Sequence, residues 1–184
     1  MENSLTTDRL LLRRWHPSDR IPFQAINANP RVMEFMPAPL NTQASDDLAD
    51  YIELHFERHG FGVFAAETLA ERAFIGYIGL HFPTFEAHFT PAVEIGWRLA
   101  FDFWGRGLAT EGAGAVLRHA FETLALPSLV SFTVPNNLRS RRVMEKLGMV
   151  HDPAEDFDHP MLPPGHPLRR HVLYRTWRNS SSSL

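Results

Sequence analysis

Apolar positions along the chain switch between a period of two and a period near 3.6, and the switches outline a mixed fold. Arg9–Trp15 (RLLLRRW) predicts a strand. His16-Pro17-Ser18-Asp19 predicts a helix start, with Pro22 near its first turn. That helix stops at Asn29-Pro30, because the residue before a proline is pushed out of the α region. Met36-Pro37-Ala38-Pro39 reads as a rigid connector. Thr42 is the expected cap of a second helix, on which Leu48, Ile52, His55 and Phe56 share a face and which Gly60 closes. Phe61–Glu67 and Phe74–Phe82 predict a hairpin around the polar turn Thr68–Arg72, with Gly76 and Gly79 marking a bulge or a close backbone approach.

Beyond a loop at Pro83–Pro91, Ala92–Leu99 (AVEIGWRL) predicts a strand. Val93, Ile95, Trp97 and Leu99 face one way, and Glu94, Gly96 and Arg98 the other. Leu108–Leu124 carries the strongest helical periodicity, through Ala113, Val116, Leu117, Ala120, Phe121 and Leu124. Leu129–Val134 predicts a buried strand, Leu138–Leu147 a short helix ended by Gly148, and Arg170–Trp177 a last strand after the long loop Asp152–Pro167. No repeat or linker divides the chain. One domain over residues 1–178 is expected, followed by a disordered serine tail, Asn179–Leu184.

Composition narrows the functions open to this pattern. Hydrophobic residues make up 44% of the 184, including 14 Phe and 4 Trp, which suffices for a packed core. A net charge of −3 leaves no overall basic footprint for nucleic acid. The absence of cysteine excludes disulfides, thiolate metal sites and a cysteine nucleophile. The first residues carry charges at Asp8, Arg9, Arg13 and Arg14 and lack the apolar run of a signal peptide, and no stretch of about 18 apolar residues would cross a membrane. The expectation is a cytoplasmic protein with neither DNA nor membrane as partner.

Chemistry concentrates in Glu94–Glu111 (EIGWRLAFDFWGRGLATE), where a strand leads through the turn Gly105-Arg106-Gly107 into the long helix. The first amides of a helix lack internal partners and its dipole favours negative charge there, so this is an anion site in outline. Two nucleotide motifs fail: no Lys follows for a P-loop, and Thr110 stands where the dinucleotide fingerprint needs glycine. Alone, the glycine pair is equally a tight turn that lets the helix pack.

A second segment, Asn137-Leu138-Arg139-Ser140 with Met144-Glu145-Lys146-Leu147-Gly148-Met149, bears on the choice. Together the two resemble the GNAT N-acetyltransferase superfamily, in the branch that includes the ribosomal-protein alanine acetyltransferases. The W-G-x-G-x-A-T-E motif of that family corresponds to Trp104–Glu111, its N-x-x-S-x-x-x-x-E-K-x-G stretch to Asn137–Gly148, its R-L-x-L-R strand to Arg9–Arg13 and its E-I-G-W strand to Glu94–Trp97. The resemblance implies an α+β fold: a mixed, mostly antiparallel central sheet flanked by helices, with a splay between the two central strands. It also implies direct acetyl transfer from acetyl-CoA, as co-substrate and without a metal, to a primary amine, either a protein N-terminus or a small molecule. Many members carry a tyrosine acid where Met144 stands, so that role must move elsewhere or go to water.

On this reading Trp97, Arg98 and Leu99 lie along the pantetheine, with Trp97 and Leu99 contacting it through backbone. Trp104, Gly105, Arg106, Gly107, Leu108, Ala109 and Thr110 form the pyrophosphate turn. Glu94 is the candidate base; the alternative is a strand-edge charge paired with Arg98. Ser140 is the candidate donor to the leaving thiolate; the alternative is a helix cap. Asn137 holds a pantetheine amide or merely ends a strand, and Arg142, in the run Arg139, Arg141 and Arg142, meets the 3′-phosphate or lies on a solvated face. His55 and His59 suggest a surface helix face more than a metal site, and the loop Asp156–Pro160 with His166 and His171 could line the acceptor. A monomer or homodimer is expected. The rival function is a CoA-binding sensor or partner-binding module without turnover.

Overall fold

The computed structural model describes residues 4–178; the expected serine-tail disorder falls outside the described residues. Its strands are β1 (Ser4–Thr6), β2 (Leu10–Arg13), β3 (Val63–Thr68), β4 (Phe74–His81), β5 (Glu94–Leu99), β6 (Ser128–Thr133), β7 (Val150–His151), β8 (Phe157–Asp158) and β9 (Arg170–Trp177). Its helices are α1 (Arg20–Ala28), α2 (Thr42–His59), α3 (Leu108–Arg118) and α4 (Leu138–Lys146). The sheet order is β1-β2-β3-β4-β5-β6-β9-β7, with β8 also on β9. Every pairing is antiparallel except β5 with β6, which is parallel.

Cross-strand partners share a face of the sheet, so the register sorts the side chains. Ile78 lies opposite Trp97, and this face takes α3, whose Gly112 sits against Ile78 and Leu10. Tyr77 lies opposite Arg98 on the other face, beneath α1, whose Phe23 meets the Tyr77 ring edge to face at 6.0 Å. Helix α2 is tied to α1 inside the protein by Asn27 Nδ2 donating to Ser45 Oγ at 2.8 Å. A second, smaller core of Phe89, Val130, Phe157 and Leu173 underlies the loop after β4.

The two glycines of β4 mark close approach. A Cβ at Gly76 would lie 2.1 Å from the Arg98 carbonyl oxygen, and one at Gly79 would lie 2.3 Å from Val63 Cα. The expected bulge is there too, as a register shift between Ala66 and Glu67 opposite Gly76.

Three expectations need correction. Asn41, not Thr42, caps α2: its side chain accepts from the Ala44 amide, and Thr42 is already the first helical residue. Helix α3 gives way to a π-helical turn, His119–Thr123, before Leu124. The loop Asp152–Pro167 contains β8, and β7 lies just before it; two-residue strands are too short to show a period. Among the described residues no helix is long and apolar enough to cross a membrane.

Candidate active site

Strand β5 pairs with β4 along its full length but with β6 at one register pair only, Glu94 opposite Val130. Val130 donates its amide to the Val93 carbonyl, and Ala100 donates to Ile75 of β4. Backbone direction alternates along a strand, so odd-numbered residues of β5 turn their N–H and C=O towards β6 and even-numbered ones towards β4. Beyond Glu94 the strands diverge, and the backbone groups of Trp97 and Leu99 face an opening with no strand across it. One of these groups is taken: Trp104 Nε1 donates to the Leu99 oxygen at 2.8 Å. Arg98 turns its backbone the other way, to Tyr77 of β4, so it offers this opening no main-chain contact.

The opening leads into a cleft of about 400 Å³ that ends at the start of α3. Gly107 is the N-cap at φ +78°, a left-handed conformation that favours glycine, and no side chain caps the helix. Glu111 is the first α3 amide bonded back to the turn, to the Gly107 oxygen; the amides of Leu108, Ala109 and Thr110 have no partner among the described residues. The turn is braced from outside. Arg9 donates to the Arg106 oxygen and, through Nε, to Glu111 Oε2, while Thr7 Oγ1 donates to Glu111 Oε1. Glu111, read from sequence as part of the motif, thus anchors α3 to the strand β2 region. The Arg106 guanidinium sits over the Phe103 ring, and Arg139 sits over Trp104 while pairing with Glu34.

Helix α4 supplies the opposite wall. Asn137 caps it, accepting from the Ser140 amide at 3.2 Å and donating to Thr133 Oγ1 at 3.0 Å. Ser140 is therefore not the cap, and its hydroxyl has no hydrogen bond among the described residues while lining the cleft. Arg142 and Lys146 line it as well, neither in an ion pair with a described residue. Met144 is 1% exposed and packs in the core.

On the other face of β5 the even-numbered side chains meet a wall from the α1–α2 connector, formed by Val32, Phe35 and Met36. Glu94 Oε2 lies 3.2 Å from His81 Nε2, its partner across the ladder. A Cβ placed on Gly96 would be 3.9 Å from both Glu94 Oε1 and His81 Nε2, so the space left by the missing side chain adjoins both groups. Burial pushes the Glu94 carboxyl up to about 8. Burial also lowers the His81 pKa, partly offset by its Nδ1 contact with the Phe82 oxygen at 3.2 Å. His81 Nε2 thus faces a carboxyl that burial keeps protonated. Glu94 does not pair with Arg98, which instead donates to Asn27 Oδ1 at 2.7 Å and sits over Tyr77.

Sequence reasoning missed His81, Tyr77, Asn27 and the connector wall. His81 had one available signal, its place opposite Glu94 in the β4–β5 ladder. The surface face expected at His55 and His59 is corrected at His55, which is buried, its Nδ1 against the Phe61 oxygen and its Nε2 accepting from the Phe82 amide, so both of its ring nitrogens are engaged. The 156–171 loop packs His159 and His171 against Phe132 and Phe157 and contributes nothing to the cleft wall. Among the described residues no group of three or more His, Asp or Glu is gathered to hold a metal.

A mostly antiparallel sheet that opens between its central strands, with an uncapped helix end at the head of the opening, is the GNAT fold. Residues 9–150 match the acetyltransferase (GNAT) domain, and the chain belongs to that family. It is similar to an acetyltransferase structure from Agrobacterium tumefaciens, at 30% identity and a TM-score of 0.77, covering 96% of this chain and 95% of that one. It is also 38% identical over 96 residues to the FsC-acetyl coenzyme A-N(2)-transacetylase of Aspergillus fumigatus; the match takes in 50% of this chain but only 40% of that relative's length. The ribosomal-protein-S5-alanine acetyltransferase of Vibrio fischeri shares the fold, with a TM-score of 0.75 at 17% identity over 97% of this chain and 98% of that one.

Proposed function

We propose that the chain transfers an acetyl group directly from acetyl-CoA to a primary amine. The observation that carries this is the continuity of the open β5 edge with the free amides at the start of α3. Pantetheine amides pair with Trp97 and with the Leu99 N–H as an extra strand would. The pyrophosphate rests on the amides from Arg106 to Thr110, and Arg142 takes the 3′-phosphate. The acceptor nitrogen comes over Gly96. Glu94, once ionised, takes its proton, directly or through one water, and the nitrogen lone pair attacks the thioester carbon. A backbone N–H of the Trp97–Leu99 segment supports the oxyanion, the C–S bond breaks, the second nitrogen proton passes to the departing thiolate to give CoA–SH, and the Ser140 hydroxyl donates a hydrogen bond to that sulfur as the charge forms. A CoA-binding module without turnover is the second reading, favoured by Met144 lying in the core where many relatives hold an acid.

Calorimetry with CoA tests the site. Binding is expected for the wild type and its loss in Gly107→Glu, where a carboxylate would meet the pyrophosphate, with circular dichroism checking that the variant stays folded. No heat with the wild type would sink the proposal, and CoA binding without acetylation of any amine in a broad panel would favour the module.

A further inference from the structure

We infer that Arg98 binds an anionic group of the acceptor, so that the substrate is a small amine carrying its own carboxylate, of amino-acid type. The inference rests on the acetyltransferase reading and deepens it. Arg98 lines the cleft on the same face as Glu94 and Gly96. Its charge has no carboxylate partner among the described residues. It donates to the neutral Asn27 oxygen, lies 5.4 Å from the Tyr77 ring centroid, and keeps a buried Nε without an acceptor. Asn27 is 0% exposed and fixed by Ser45, so the guanidinium is held in place rather than folded back by chance. A half-buried cation that meets only neutral groups is a site completed by an incoming anion.

The spacing suits one short molecule. Same-face neighbours on a strand are about 6–7 Å apart, so an amine over Gly96 has Glu94 on one side and Arg98 on the other, a few bonds away. Among the described residues that line the cleft Glu94 is the only carboxylate, and Arg98 shares its face of β5. A polyamine would find a single acidic partner there, with the Arg98 charge beside it. Val32, Phe35 and Met36 form an apolar wall suited to an aliphatic or aromatic side chain.

The test compares matched pairs, the free amino acids Leu, Met and Phe against their carboxamides, by thiol release from acetyl-CoA. Wild type should prefer the acids in kcat/KM, although the amide amines lose their protons more readily. In Arg98→Gln the acid-to-amide ratio should fall by about 10- to 100-fold, the worth of a charge-assisted hydrogen bond, and Arg98→Lys should keep part of it. The ratio is measured on one sample, so partial unfolding cancels. Equal or better use of the amides by wild type, an unchanged ratio in Arg98→Gln, or turnover of neither member of any pair by enzyme that binds acetyl-CoA overturns the inference. Failure to bind acetyl-CoA overturns the acetyltransferase reading beneath it instead.

Discussion

Glu94 keeps its proton at a pH where an exposed carboxyl has lost it, and the cause is burial: its side chain is 12% exposed and its ladder partner is a histidine that burial also holds neutral. As a base it must first ionise, so wild-type turnover should climb with pH through about 8. Glu94→Gln should lose roughly 10²–10⁴-fold in rate while leaving CoA affinity nearly unchanged. The same proton leaves a mark on stability. Below the ordinary value of 4.5 both folded and unfolded chains hold it, and between 4.5 and about 8 only the folded chain does. This group's contribution is therefore full below 4.5 and is lost as pH rises to about 8, at up to about 1.4 kcal/mol per pH unit. Urea melts at pH 5 and pH 8 should show Glu94→Gln gaining on wild type at the higher pH. Equal changes in both proteins would mean that the carboxyl titrates normally.

Helix α4 separates two roles that the sequence left entangled. Asn137 carries the cap, so Asn137→Ala should cost about 1 kcal/mol of unfolding free energy. Ser140→Ala should leave stability close to wild type and lower turnover more than it raises the KM for acetyl-CoA, as expected of a group that meets the thiolate only while it forms. A stability loss with turnover per folded molecule intact would return Ser140 to a structural role. The elements legible in the sequence were those that repeat their period: β5, α3, α4 and β9 lie within a residue or two of their predicted bounds, apart from the π-helical end of α3. The glycine turn and helix start of the proposed donor side were legible for the same reason, since a strand, a turn and a helix start are contiguous in the chain. The walls of the proposed acceptor side were not. His81 reaches Glu94 only through the β4–β5 register, Asn27 reaches Arg98 only because α1 crosses that face, and neither relation is periodic in the sequence.

At the scale of the whole sheet, β4 closes on both neighbours through glycines, Gly76 against Arg98 of β5 and Gly79 against Val63 of β3. Gly79→Ala would drive a methyl group into the backbone of β3 and should destabilise the protein by at least about 1–3 kcal/mol, readable as a lower denaturation midpoint at unchanged denaturant dependence. The alternation along β5 also bears on how such a protein diverges. Its odd-numbered residues hold out main-chain atoms, which almost any amino acid possesses, on the proposed donor side; its even-numbered residues present side chains, which define them individually, on the proposed acceptor side. On the proposed reading, a change of side chain at positions 96 or 98 alters the acceptor side while leaving the main-chain groups of the donor side in place. A slip of β5 by one residue would trade the two sides at once.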